Sequence, residues 1–260
     1  MSNREKWARR LSWTALALAL GGVVAALVAG LGTGAGWWPY GAGLGALRYA
    51  LYAAVAGGLL AILAWFVARK TGARMVWVNA VALLSAAAFT AYLGNQIMAA
   101  RSVPAIHEAS TSLDDLPQFA ALPLRADHLE TIPDQGRPEL AAMAPLDRWK
   151  ALHREAYPDL QSLRLAQPPA EMLAQAEELA RSRGWSVARV DGQAGIVEAT
   201  ATTLFFRFKD DVVIRVRPDP ARAGASVVDM RSISRVGRSD LGVNAARIRD
   251  FLRDLGASAS

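Results

Sequence analysis

Three long apolar runs lie in the first hundred residues, and none follows them. The runs are Leu11 to about Leu31, Tyr49 to Ala68 and Met75 to Ala100, and they contain no Asp, Glu, Lys, Arg or His. Each is long enough to cross a hydrocarbon core of roughly 30 Å at about 1.5 Å per residue. The pattern therefore predicts three transmembrane helices, over about 11–31, 49–68 and 75–100, in a membrane anchor that covers residues 1–103.

Basic residues are distributed unevenly around these runs. They cluster before the first run and between the second and third, whereas the loop after the first run has none until Arg48; the clusters are Arg4, Lys6, Arg9 and Arg10, and then Arg69, Lys70 and Arg74. Cytoplasmic loops carry the excess of Lys and Arg. We therefore expect a multi-pass protein of the cytoplasmic (inner) membrane, with its N-terminus inside and its C-terminal domain periplasmic.

The apolar runs themselves favour a passive anchor in contact with the lipid bilayer. Transporters usually keep ionisable groups at membrane depth, and these runs have none. Small residues recur at four-residue spacing, as in Gly22, Ala26 and Gly30, which lets helices approach closely. Packing among the three spans explains that spacing, and self-association of copies through the same faces is the alternative.

After residue 103 the hydrophobic pattern becomes that of a folded domain. Residues 104–144 are Pro-rich and aperiodic, and we interpret them as a tether and an arm over the domain surface. Residues 145–257 predict an α+β domain, an antiparallel sheet of about four to five strands covered by helices. Its helices are expected at 145–156, 168–183 and 240–255, and its strands at 160–165, 185–190, 196–202, 211–217 and 226–234.

The buried and exposed faces of one strand can be predicted. Val212, Ile214 and Val216 occupy alternate positions of the strand predicted at 211–217 and are expected to point into the core. Arg215 then points outward, roughly opposite Asp229, which predicts an exposed cross-strand ion pair.

Charge and composition remove several classes of function. The net charge of +6 belongs to the anchor, where residues 1–103 hold nine Lys or Arg and one acid, so that the remainder is slightly acidic. A basic stripe for nucleic acid would lie on the folded domain, and we expect no nucleic-acid partner. The chain has no cysteine, which excludes disulfides, thiol nucleophiles and cysteine metal sites.

Two segments of the chain carry a resemblance to a known family. They are PAIHEASTSLDDLPQF, from Pro104 to Phe119, and the stretch from Asp210 to Leu252 that contains RSISRVGRSDLGVN. Together they resemble the family catalogued as domain of unknown function 1499, over most of residues 104–255. The family name implies no activity, so the resemblance indicates kinship and not function.

The RSISRVGRSDLGVN segment also holds the first candidate site. A strand ends there and a helix begins, and helix N-termini attract anions. The proposed ligand-binding residues for a small anion are Arg231, Ser234, Arg235, Gly237, Arg238, Ser239 and Asn244. The alternative is structural: Ser239 caps the helix, Gly237 makes the turn, and the arginines pair with Asp240 or with the acidic arm.

A second cluster lies in the arm and comprises His107, Ser110, Thr111 and Asp114, beside Glu108 and Asp115. Imidazole, hydroxyl and carboxylate groups can perform acid–base chemistry. The alternative is that these residues form turns and caps. No metal ligand spacing and no cofactor motif is present in the sequence, and we expect neither group.

Three functions remain open at this point. The first is a binding or scaffolding module at the outer membrane face with a protein partner of the cell envelope. The second is a receptor for an anionic small ligand at the Arg231–Asp240 turn. The third, which the residues favour least, is a hydrolase-type enzyme that uses His107 and the nearby acids.

Overall fold

The structure is a computed structural model that describes residues 2–130 and 132–258. It divides into two compact units, which are Met1–Ala99 with Leu204–Arg207, and Ala100–Thr203 with Phe208–Ser260. The expected fold class is confirmed, because three long apolar helices precede a domain with a six-stranded antiparallel sheet and helices.

The first unit contains α1 (Asn3–Gly34), α2 (Tyr40–Thr71) and α3 (Val76–Arg101). All three are long and apolar enough to cross a membrane, so these candidate spans indicate a membrane protein. The helices extend beyond the apolar runs. Ser2 and Glu5 form a capping box that starts α1. α2 begins at Tyr40 and not near Tyr49, which reduces the loop after the first apolar run to a few residues.

The small residues of α1 and α2 allow their backbones to touch. A Cβ atom added at Gly22 would lie 2.5 Å from the Ala50 carbonyl oxygen, and one added at Gly57 would lie 2.4 Å from the Ala19 nitrogen. Only glycine permits so close an approach. At Gly22 and Gly57 the small side chains therefore serve packing between α1 and α2.

The second unit carries the sheet. Its elements are β1 (Glu108–Ser110), α4 (Pro138–Ala141), α5 (Pro145–Ala156), β2 (Leu163–Leu165), α6 (Pro169–Ser182), β3 (Ser186–Asp191), β4 (Ile196–Thr202), β5 (Lys209–Pro218), β6 (Ser226–Ser234) and α7 (Val243–Ser258). The strand order is β1-β6-β5-β4-β3, with β2 also paired to β6, and every pairing is antiparallel. The strand predicted at 160–165 is shorter than expected, and β1 lies in a segment expected to be irregular.

The sheet has one apolar face and one polar face. Val212, Ile214 and Val216 lie in the hydrophobic core with residues of α6 and α7, as expected. Because side chains alternate along a strand, the charged residues lie on the other face of the sheet. We call this face the covered polar face, and its charged residues are Glu198, Asp211, Arg215, Asp229 and Arg231.

The arm packs closely on the domain. Ile106 to Thr111 are buried, and the compact unit begins at Ala100. The backbone of residues 115–122 bonds to side chains of the covered polar face. An irregular segment thus provides the layer that helices provide on the opposite side.

Candidate functional site

A buried ion pair lies at the centre of the covered polar face. Arg231 of β6 donates from Nε to Oε1 of Glu108 on β1, and the two side chains are 2% and 1% exposed. The register of the two strands explains the contact. Ser110 of β1 lies opposite Arg231 of β6, and Glu108, two residues before Ser110, has its side chain on the same face of the sheet. Removing two charges from water is costly unless they are well paired, so this pair needs its surroundings to be complete.

His128 completes a triad with this pair. Its Nε2 lies 2.6 Å from Glu108 Oε2 and 3.1 Å from Arg231 Nη2. Burial raises the pKa of Glu108, but the hydrogen bond from His128 and the charge of Arg231 outweigh it, and the pKa lies below its usual value. Glu108 is therefore anionic and accepts a hydrogen bond from the Nε2–H of His128. With its proton in this position Nε2 cannot accept from Arg231, so the 3.1 Å distance to Nη2 is a close contact of two donors and not a hydrogen bond.

Arg231 also contacts the arm. Nη1 donates to the carbonyl oxygen of Pro117 at 3.1 Å, and the guanidinium lies 5.6 Å from the ring centre of Phe119. Both partners belong to the arm. His128, with 19% of its side chain exposed, is the member of the triad that reaches the surface.

A second ionic group surrounds Asp229, which is fully buried. Its carboxylate accepts hydrogen bonds from Arg215 at 2.9 Å, from Arg217 at 2.6 Å and from the Ser162 hydroxyl. Burial raises the pKa of Asp229, yet these donors hold it below its usual value. The Arg215–Asp229 pair has the predicted register, but the expectation that it is exposed is wrong, because Asp115 of the arm also binds Arg215.

The side chain of Glu198 forms hydrogen bonds with the backbone of the arm. Its carboxylate oxygens accept N–H groups of Ala120, Ala121 and Leu122 at 2.9 to 3.1 Å. This contact could not be predicted from side-chain composition, because the donors belong to the backbone.

The first candidate site is used mainly for internal contacts. Arg235 pairs with Asp211 at 2.8 Å, and the carbonyl oxygen of Gly237 accepts from Arg125 at 2.7 Å. Arg231 lies in the triad. Arg238 is exposed and has no ion pair with any other residue that the structure describes.

The start of α7 differs from the prediction. The helix begins at Val243, because Leu241 has a φ of 56° and breaks the helical conformation. Ser239 does not cap the helix; it accepts from the Leu241 N–H. The side-chain oxygens of Asp240 accept the N–H groups of Gly242 and Asn244 at 2.9 Å, so the chain's own carboxyl group fills the position expected for a ligand.

Ser234 and Asn244 lie next to His107, which joins the two candidate clusters. The His107 carbonyl oxygen accepts from the Ser234 N–H at 2.9 Å and from Asn244 Nδ2 at 3.0 Å, and Asn244 Nδ2 also donates to the Ser234 hydroxyl. The ring of His107 is fully buried, and burial, with the charge of Arg125, lowers its pKa. These residues fix β1 against β6 and α7.

The rest of the second cluster is dispersed. The Ser110 N–H donates to His153 Nε2 at 3.1 Å, Thr111 exchanges hydrogen bonds with the Met230 backbone, and Asp114 forms an exposed pair with Arg154. In residues 2–130 and 132–258, no group of three or more His, Cys, Asp or Glu could hold a metal ion.

Comparison with known proteins gives a family match. The model described as "Protein of unknown function (DUF1499)" matches residues 109–255, more than half of the chain and nearly the whole domain. No curated protein matches the chain.

Proposed function

Since the chain belongs to the DUF1499 family of proteins of unknown function, as its resemblance indicated, we propose a function from its own residues. The protein is held in the cytoplasmic membrane and presents a closed binding or scaffolding domain on the periplasmic side, where it engages a protein of the cell envelope. The observation that carries this proposal is that the charged groups of the domain interior are paired with one another beneath the arm.

The orientation rests on the charges beside the helices. Arg69 and Lys70 end α2, and four further basic residues lie in the first turns of α1. Residues 35–39, which connect α1 to α2, carry no charge. The positive-inside tendency therefore favours a cytoplasmic N-terminus and an exported domain after α3.

Internal pairing favours binding over catalysis. Glu108 is paired with Arg231, and Asp211 with Arg235. A general acid or base must reach the proton that it transfers, whereas His107 is fully buried. Catalysis through His107 therefore has little support, and so does anion binding at the Arg231–Asp240 turn, where Asp240 fills the helix N-terminus.

Reporter fusions test the orientation. Alkaline phosphatase, which folds into an active enzyme only outside the cytoplasm, is expected to be active when fused after Ser260 and inactive when inserted at Gly72, between α2 and α3. A fluorescent protein that matures only inside should give the opposite pattern. Phosphatase activity at Gly72 with none at the C-terminus would overturn the proposed topology.

Photo-crosslinking in intact cells tests the partner. A photoreactive residue is placed in turn at the exposed apolar positions Met143, Leu146 and Val190. A binding surface is expected to give a discrete adduct from neighbouring positions, with loss of that adduct when an adjacent side chain is changed to Asp. Adducts of the protein with itself alone, at every position, would contradict a heterologous partner.

A further inference from the structure

The beginning of α1 and the end of α2 lie side by side at one end of the helical unit. Ala8 of α1 and Ala68 of α2 are buried in a small cluster with Met75, which follows α2. Alanine at both positions lets the two backbones approach closely. A cleft opens beside this contact, between longer side chains of the two helices.

This α1–α2 cleft has a volume of about 520 Å³ and lies wholly within the first unit. The residues that line it are Ser2, Arg4, Trp7, Val67, Lys70 and Thr71. The hydroxyl groups of Ser2 and Thr71 are already used, because each forms a hydrogen bond with a backbone group of its own segment. The guanidinium of Arg4 and the ammonium of Lys70 are therefore the polar groups that the cleft offers to a ligand.

The positive charge at the cleft is not neutralised by a carboxylate. Arg4 and Lys70 form no ion pair with any other residue that the structure describes. Glu5 is the one acid among residues 1–103, and its carboxylate accepts the Ser2 N–H at 2.9 Å in the capping box of α1. Further cations at this end of the unit are Lys6, Arg69 and Arg74. The cleft therefore complements an anion.

The cleft adjoins the ends of two apolar runs, at the depth of lipid headgroups. Along the helix axis, Lys70 lies about 3 Å beyond Ala68, where one run ends. Arg4 lies about 10 Å before Leu11, where another run begins. The headgroup layer adds roughly 5–7 Å on each side of the hydrocarbon core, and the long arginine side chain covers the remaining distance. Trp7, which is 62% exposed, is of a residue type enriched at this boundary.

We propose that the α1–α2 cleft binds the headgroup of one anionic phospholipid. Arg4 and Lys70 contact the phosphate from the two helices, because both side chains form charge-assisted hydrogen bonds with phosphate oxygens. Trp7 and Val67 contact the glycerol and the first methylene groups of the lipid. Basic pockets between transmembrane helices bind anionic headgroups in this way. The inference goes beyond the proposed function, and it requires neither an envelope partner nor a particular orientation of the chain.

Native mass spectrometry of the full chain counts the lipids that the protein retains. The protein is prepared in micelles of a nonionic detergent and titrated with phosphatidylglycerol or with phosphatidylcholine, which carry the same acyl chains but differ in headgroup charge. One phosphatidylglycerol per chain should be retained at concentrations where phosphatidylcholine is not. Equal retention of the two lipids would overturn the proposal.

Two double variants separate the cleft from the general positive charge of this end. Arg4→Gln with Lys70→Gln removes the two cations that line the cleft, and Lys6→Gln with Arg74→Gln removes two that do not. Each basic residue at an anionic lipid contributes about fivefold in affinity, so the first variant should bind phosphatidylglycerol about thirtyfold more weakly. The second variant has the same net charge and should bind as the parent protein does. Equal weakening in both, or no weakening in the first, would contradict a site in the cleft.

Folding is measured on the same samples by circular dichroism. Because Arg4 and Lys70 form no described ion pair, both double variants should melt at the temperature of the parent protein. The single variant Lys70→Gln should weaken lipid binding about fivefold, a graded effect that a loss of folding would not give. Parent-like affinity of this single variant would refute the assigned role of Lys70.

Inorganic phosphate distinguishes a lipid from a free anion. Added at constant ionic strength, it should not displace phosphatidylglycerol, because it makes no contact with Trp7 and Val67. Displacement of the lipid by an equal concentration of phosphate would assign the cleft to a free anion and exclude the lipid site.

Discussion

His153 of α5 is buried against the arm and makes the domain sensitive to acid. Its side chain is 1% exposed, and the ring lies between those of Trp149 and Tyr157, with centroid distances of 5.4 and 5.3 Å. Nε2 accepts the Ser110 N–H at 3.1 Å, so a proton on that nitrogen would place two donors face to face. Burial, as the largest cause, lowers the pKa of His153 from 6.5 to about 4, with Glu108 opposing the shift.

The direction of the effect follows from the two pKa values. The unfolded chain takes up the proton near pH 6.5, whereas the folded domain resists it until about pH 4. Stability is therefore complete above pH 6.5 and is lost as the pH falls toward 4. At about 1.4 kcal/mol per unit, the loss totals about 3 kcal/mol, of which about 2.5 kcal/mol is reached by pH 4.5.

The assay compares the full chain with a His153→Gln variant in detergent micelles. Gln offers an amide oxygen to the Ser110 N–H but does not titrate. Both proteins carry Val197→Cys, which places one thiol at a fully buried position of the core. This thiol reacts only when the domain unfolds. The extent of its reaction with a thiol reagent active in acid, measured as urea is raised, therefore gives the free energy of unfolding. From about pH 7 to about pH 4.5 the His153 protein should lose roughly 2.5 kcal/mol more than the variant, because His107 and the carboxylates are common to both. Superimposable pH profiles would refute the reasoning.

Three other predictions concern packing and pairing. Gly22→Ala should lower the melting temperature of the helices measured by circular dichroism in detergent, because its Cβ would lie 2.5 Å from a backbone oxygen; Gly21→Ala, with nothing within 4 Å, should not. Glu198→Gln should speed hydrogen exchange of the three arm amides bound to it by about tenfold, and unchanged exchange would exclude this anchor for the arm. Glu108→Leu alone should cost about 3–5 kcal/mol in the thiol assay, while its combination with Arg231→Met should recover most of that loss; equal losses would show that the buried charge is not the cause.

The hydrophobic pattern of the sequence was sufficient to predict two features of the fold. The apolar runs predicted the three long helices, and the alternation of Val212, Ile214 and Val216 identified the core side of β5. β1 was missed because three residues are too few to show alternation. The exposure of Arg215 was mispredicted, since alternation separates polar from apolar faces but does not reveal whether a polar face is covered.

The pairing of residues in the candidate site could not be predicted from the sequence either. The segment around Arg231 and Arg235 was identified as basic and rich in hydrogen-bond donors, yet its partners come from distant parts of the sequence. Glu108 precedes Arg231 by 123 residues, and no local spacing connects them. The available signal was the contrast between an acidic stretch at 104–204 and a basic one at 205–260, which indicated internal matching without naming the pairs.

The separation between Glu108 and Arg231 also has a consequence for biosynthesis. At about 5–20 residues per second, roughly 6 to 25 s pass between the synthesis of the first strand and that of its partner β6. During this interval the three helices are complete, but the arm has no sheet to cover, and the domain cannot close before Ser234 has emerged from the ribosome. A chain that stays unfolded for so long must avoid premature strand pairing, and the prolines of its arm oppose such pairing because they lack the N–H donor.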